Sequence, residues 1–98
     1  MLSINKTVEN SAARFALGGR LDTATAPELE KALGALDGVT ELTLDLKELE
    51  YISSAGLRVL LSAQKVMSRQ GSMKLIHVNT IITEIFEVTG FIDILTIE

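Results

Sequence analysis

The chain has 98 residues, 47% of them hydrophobic, with no cysteine, one histidine and a formal charge of −4. That is one domain's length with enough apolar material for a single core, and it excludes disulfides, thiolate metal sites and thiol nucleophiles. The 13 acidic and 9 basic residues argue against electrostatic binding of nucleic acid, and His77 alone cannot build a multi-histidine metal site.

The N-terminal stretch MLSINKTVENSAARF has no apolar run behind a basic start. No apolar run approaches the roughly 20 residues of a membrane helix. A cytoplasmic protein without a membrane span is therefore expected. Repeats and Pro/Gly-rich linkers are absent from the sequence, so residues 1–98 read as one domain.

Leu2, Ile4, Lys6 and Val8 alternate with Ser3, Asn5, Thr7 and Glu9, the period of a half-buried strand with Lys6 pointing to solvent along an edge. After a turn at Asn10-Ser11, residues Ala13, Phe15 and Leu17 predict a second strand ending at Gly18-Gly19, paired as an antiparallel hairpin. The loop Gly19–Ala24 leads to a helix. There, Thr25 and Glu28 have the spacing of a capping box, Pro27 suits the first turn, and Leu29, Ala32, Leu33 and Leu36 form a stripe that Gly38 stops.

Leu42, Leu44 and Leu46 predict a third strand, followed by the connection Lys47–Glu50. Tyr51–Gly56 then enters a second helix running to about Arg69 and stopped near Gly71. Met73–Val78 predicts a fourth strand, and Thr80 a cap for a short helix carrying Ile81, Ile82, Ile85, Phe86 and Val88 up to Gly90. Ile94–Ile97 predicts a short fifth strand. Strands and helices alternate after the hairpin, so the fold class is α/β: a mixed sheet of about four to five strands flanked by helices.

Projected at about 100° per residue, the second helix gathers Val59, Leu60, Ala63, Val66 and Met67 on one core face. Leu57 and Leu61 project roughly opposite, among Arg58, Gln64, Lys65 and Ser68, on the same line as Ser54. Either other elements cover these leucines, or they form a partner-docking surface rimmed by charge. Ser53 and Ser54 carry a similar choice. A serine before a helix usually caps it, but two adjacent serines allow one to cap while the other stays exposed. A phosphate there would bring about −1.5 to −2 charge to the positive end of the helix dipole, which the fold tolerates. An apolar interface centred on the leucines would not tolerate it, because docking would bury a dianion beside carbon.

These residues resemble a known family. Gly19-Arg20-Leu21-Asp22, Leu44-Asp45-Leu46, the stretch Tyr51-Ile52-Ser53-Ser54-Ala55-Gly56-Leu57-Arg58-Val59-Leu60-Leu61 and the closing Ile85–Phe91 are similar to the anti-sigma-factor antagonist branch of the bacterial STAS domains. The resemblance runs through essentially the whole chain. It implies a protein that binds an anti-sigma factor, itself a serine kinase, and so frees a sigma factor. Phosphorylation of a serine at the start of the second helix would end that binding, and a PP2C-type phosphatase would restore it.

The aligned phosphoacceptor is Ser54, and Asp22 matches the family's loop aspartate near that serine. Where well-known members have aspartate before the modified serine this chain has Ser53, which leaves Ser53 as the alternative acceptor. The implied partner surface comprises Asp22, Thr23, Ser53, Gly56, Leu57, Arg58, Leu61 and Lys65. The protein is expected to be a monomer or weak homodimer with no cofactor or metal.

Two other classes of function are open to the sequence. One is a non-switching STAS subunit of a signalling or lipid-transport assembly, in which the serine is only a cap. The other is an enzyme with Ser54 as nucleophile, Asp22 as orienter and His77 as base. The wide sequence separation of His77 and the lack of a phosphate-cradling glycine loop at Gly18-Gly19 argue against catalysis. Met67 and Met73 read as core filling, and Glu48 and Glu50 lie near the serine loop, where they could add partner selectivity.

Overall fold

The structure is a computed structural model that describes residues 1–34 and 36–98. Apolar alternation lays down β1 (Leu2–Glu9) and β2 (Ala12–Leu21), joined through Asn10 at φ 57°, a left-handed conformation that asparagine adopts at little cost. They pair antiparallel, with Leu2 opposite Gly19 and Lys6 opposite Phe15. The Lys6 ammonium lies 5.6 Å from the Phe15 ring centroid while the residue stays exposed on the edge strand.

The chain continues through α1 (Ala26–Ala32), β3 (Glu41–Ile52), α2 (Ser54–Gln70), β4 (Ser72–Ile76), α3 (Thr80–Thr89) and a 3-10 turn, Phe91–Asp93. The strands order as β1-β2-β3-β4, with β2–β3 and β3–β4 parallel, which is the expected mixed α/β sheet. Phe15, Leu17, Leu42, Leu44, Leu46 and Leu75 are buried, as are Leu60 and Met67 of α2 and Ile82 and Phe86 of α3. Residues of the opposite strand parity, such as Arg14, Thr43 and Lys74, are exposed or half-buried. The helices therefore share one face of the sheet and leave the other open.

Several boundaries differ from expectation. β3 runs on through Lys47–Glu50 instead of breaking. Its pairing with β2 slips at Ala16/Gly18 and again at Gly19/Arg20, each time inserting an extra β3 residue, so Leu46, Leu49 and Ile52 are all buried at a spacing of three. α1 ends at Ala32, well short of Gly38. The Gly34 N–H donates to the Lys31 carbonyl at 3.2 Å, a tighter bond that closes the helix, while Leu36 is buried beyond its end.

The proposed cap of α3 is also corrected. Asn79 is the N-cap, its side chain accepting from the Ile82 N–H at 3.0 Å, and Thr80 is the first helical residue. The fifth strand reduces to one parallel bridge between Leu75 and Ile97. The amides of Ile94 and Leu95 are spent on the Phe91 carbonyl, which leaves too little extended chain to form a strand. Among the described residues no helix is long and apolar enough to cross a membrane.

Candidate functional site

The carboxyl ends of β2 and β3 deliver two loops that are tied together. The Ser53 N–H donates to the Leu21 carbonyl at 2.8 Å, setting the start of α2 beside the Asp22 loop that starts α1. In α/β sheets this end of parallel strands is where loops and helix N-termini gather into binding sites.

Ser53 is the N-cap of α2. Its backbone is extended at φ −95° and ψ 175°, and its Oγ accepts the Gly56 N–H at 3.3 Å. Ser54 is the first helical residue and is exposed. The two adjacent serines are thus physically distinct: one hydroxyl is engaged in the helix start, the other faces solvent. The first turn of α2 contains no acidic residue.

The start of α1 is built differently from the expected capping box. Thr25 has helical φ and ψ and makes no side-chain cap bond. Its hydroxyl is turned inward, donating to the Arg20 carbonyl and accepting the Asp22 N–H, both at 2.8 Å. Asp22 does the capping: its Oδ1 accepts the Ala24 and Thr25 amides, each at 3.0 Å, and the Ala26 N–H donates to its carbonyl at 2.8 Å. The Thr25 N–H is the main influence holding the Asp22 carboxyl below its ordinary pKa. Burial opposes it, and the Thr25 hydroxyl and Ala24 N–H reinforce it. Asp22 is therefore committed to its own loop. Arg20 lies 3.8 Å from its other oxygen and stacks at 4.4 Å on the Tyr51 ring.

Around α2 the projection needs a rotation. Leu57, placed opposite the core by periodicity, is buried at 5% exposure, while Val66, placed in the core, is 44% exposed. The buried residues Gly56, Leu57, Val59, Leu60, Ala63 and Met67 form an arc centred near Gly56. A Cβ built on Gly56 would lie 2.7 Å from Leu21 Cγ and 2.9 Å from Ile52 Cγ1, so the helix packs here too close to the strand ends to admit a side chain. A glycine contributes nothing to an apolar stripe, and the stripe therefore misplaced its own centre. Gly56 and Leu57 are accordingly removed from the partner surface by burial. Thr23, Arg58 and Lys65 remain exposed, and Asp22, Ser53 and Leu61 are half-buried.

A groove of about 280 Å³ opens between α1 and α2, lined by Thr23, Ala26, Pro27, Glu30, Ala55, Arg58, Val59 and Ser62. A second apolar hollow, with Leu33, Leu36 and Val66, shares Glu30, Val59 and Ser62 with it and extends it along the helix pair. Glu30, Ala55 and Ser62 carried no sequence signal as site residues, because the groove exists only where two helices meet.

His77 stands apart from this site. It follows β4 at φ 55°, and its Nδ1–H donates to Asp45 Oδ1 at 3.0 Å. Arg14 holds the other Asp45 oxygen at 2.8 Å. Burial pushes the Asp45 carboxyl up, but the Lys47 N–H, His77 and Arg14 outweigh it and keep the pKa below the ordinary value. Since Asp45 pairs with Ile76 and β3 continues to Ile52, the serines lie on the order of 20 Å further along the strand. Ser54, Asp22 and His77 do not assemble into a triad.

The family described as Mlab, STAS domain, matches residues 4–96. BtrV of Bordetella bronchiseptica, provisionally named an anti-sigma factor antagonist, is 42% identical over 81 residues, covering 80% of this chain and 70% of its own. An anti-sigma factor antagonist from Mycobacterium paratuberculosis superposes with a TM-score of 0.88 at 21% identity, over 99% of this chain and 85% of that one. The Bacillus cell fate determinant SpoIIAA in its phosphorylated form superposes at 0.74 with 15% identity, over 100% and 91%. At such identities the two solved structures bear on the fold alone.

Proposed function

The chain belongs to the STAS domain family, and from that premise we propose that it is an anti-sigma-factor antagonist controlled by phosphorylation of Ser54. The unphosphorylated protein binds an anti-sigma factor that is also a serine kinase, and the sigma factor is released. The kinase transfers the terminal phosphoryl group of ATP to Ser54 Oγ, leaving ADP and ending the interaction. A PP2C-type phosphatase hydrolyses the ester and restores binding. The name of BtrV supports the antagonist role, and the name of SpoIIAA supports phosphorylation as compatible with this fold.

One observation carries the reading. Ser54 is an exposed first-turn residue next in sequence to Ala55, which lines the α1/α2 groove, while Ser53 satisfies the helix end. A dianion at Ser54 leaves the core and the cap untouched, yet it stands one residue from the groove wall, where a docking apolar partner segment would desolvate it. The partner surface in this reading comprises Thr23, Ser54, Arg58 and Lys65 with half-buried Leu61, and its apolar floor is Ala26, Pro27, Ala55 and Val59.

The test is binding of the cognate anti-sigma factor by titration calorimetry. Ser54→Asp should abolish the interaction while leaving the domain folded, with an unchanged circular dichroism spectrum and a melting temperature no lower than the parent's. Equal affinity in the variant and the parent would refute the switch. Persistent absence of a phosphate adduct after incubation with the kinase and ATP would favour a non-switching STAS subunit of a larger assembly.

A further inference from the structure

We propose that Arg58 is the built-in counter-ion of phosphorylated Ser54, so that phosphorylation both adds a dianion to the docking surface and withdraws a cation from it. The inference rests on Ser54 being the modified residue. It concerns what the phosphate does on this chain once it is there.

Residues four apart on a helix lie on one face, with Cβ atoms about 6 Å from each other. Cα–Cβ bonds tilt toward the helix N-terminus, so the Arg58 side chain starts back over the turn that carries Ser54. Arg58 is exposed and lines the groove mouth together with Thr23 and Ala55. Its charge is uncommitted. Arg14 is held by Asp45, and Arg20 by Asp22 and Tyr51, whereas no ion pair or hydrogen bond engages Arg58 among the described residues. Glu30 lines the same groove without pairing to it.

No carboxylate in the first turn of α2 competes for the guanidinium, and the position before Ser54 is an uncharged serine. A phosphate on Ser54 Oγ would present three acceptor oxygens to a planar donor that can take two of them at once. In the unmodified protein the same guanidinium is free to meet an acidic group of the partner. Capture by the phosphate removes that contact at the moment the dianion appears. The net local charge changes by roughly the phosphate's own −1.5 to −2, and in addition the guanidinium is no longer available to the partner.

The test uses the full chain with phosphoserine placed at position 54 during synthesis, as parent and as Arg58→Gln, followed by 31P NMR across the phosphate's second ionisation. The dipole of α2 acts equally in both proteins, so their difference isolates Arg58. The parent phosphate should titrate about 0.2–0.4 of a pH unit lower than in Arg58→Gln. Arg58→Lys, which keeps the charge, should recover part of that difference. Phosphorylation should also raise the melting temperature in the parent by more than in Arg58→Gln. Indistinguishable titrations and equal melting shifts in the two proteins would overturn the proposal. Failure of any kinase to modify Ser54 would instead count against the proposed function, and would leave this titration readable because the phosphate is installed synthetically.

Discussion

The two helix starts at the carboxyl ends of β2 and β3 lie side by side and are finished in opposite ways. At α1 a carboxylate closes the end: Asp22 takes two loop amides on one oxygen, Thr25 is folded inward, and Glu28 adds a further negative charge to the first turn. At α2 a neutral hydroxyl closes it, the first turn holds no acid, and the next residue is an exposed serine. A helix N-terminus carries about half a positive charge. α1 is already compensated from within the chain, whereas α2 is left to be compensated from outside. That difference explains how a phosphate can be accepted at one start and would meet existing negative charge at the other.

The comparison breaks most visibly at Leu57. If the α2 start is anchored from beneath by Leu57, truncating it to Ala should cost about 2–4 kcal/mol in chemical denaturation, while the same change at half-buried Leu61 should cost under about 1 kcal/mol. Equal costs would mean that the helix is rotated as its apolar stripe suggested. A smaller effect separates the serines. Ser53→Ala should lose about 1 kcal/mol with its cap, and Ser54→Ala should stay within about 0.5 kcal/mol of the parent.

The smallest effect is in pH. The depressed pKa of Asp22 means that the unfolded chain binds its proton more readily than the folded one. Its stabilisation is therefore present above the unfolded value near 3.8 and is lost as pH falls through the lower folded value. Amide exchange at Ala24 and Thr25 should quicken over that acid range, whereas exchange at Gly56, capped by a hydroxyl, should show no matching step.

Most of the architecture could be read from the sequence because regular periods report regular surroundings. Leu42, Leu44 and Leu46 alternate because β3 pairs with β2 without a slip from Glu41 to Asp45, and Gly90 ends α3 with φ 82° as a left-handed cap. The errors occur where regularity is interrupted by something a period cannot encode. The bulged residues of β3 displaced Leu49 and Ile52 from alternation and made a strand look like a loop. Thr25 and Glu28 had capping-box spacing, but the hydroxyl was claimed by the Arg20 carbonyl of the preceding strand.

At the site, the serine pair and the cations of α2 were visible as residues, and their placement follows from the helix start itself. The groove was not visible. Its walls come from Ala26, Pro27 and Glu30 on one helix and Ala55, Val59 and Ser62 on another, and only tertiary packing brings them together. The rotation of α2 was hidden for a related reason, since the middle of its buried arc is Gly56, a residue without a side chain.

The division of labour between the two serines is tested most directly by incubating the protein with the anti-sigma factor kinase proposed as its partner and ATP and mapping the phosphate by peptide mass spectrometry. A single phosphate on Ser54 is predicted, retained in Ser53→Ala and lost in Ser54→Ala. A phosphate on Ser53 in the parent protein, or one that persists in Ser54→Ala, would contradict it.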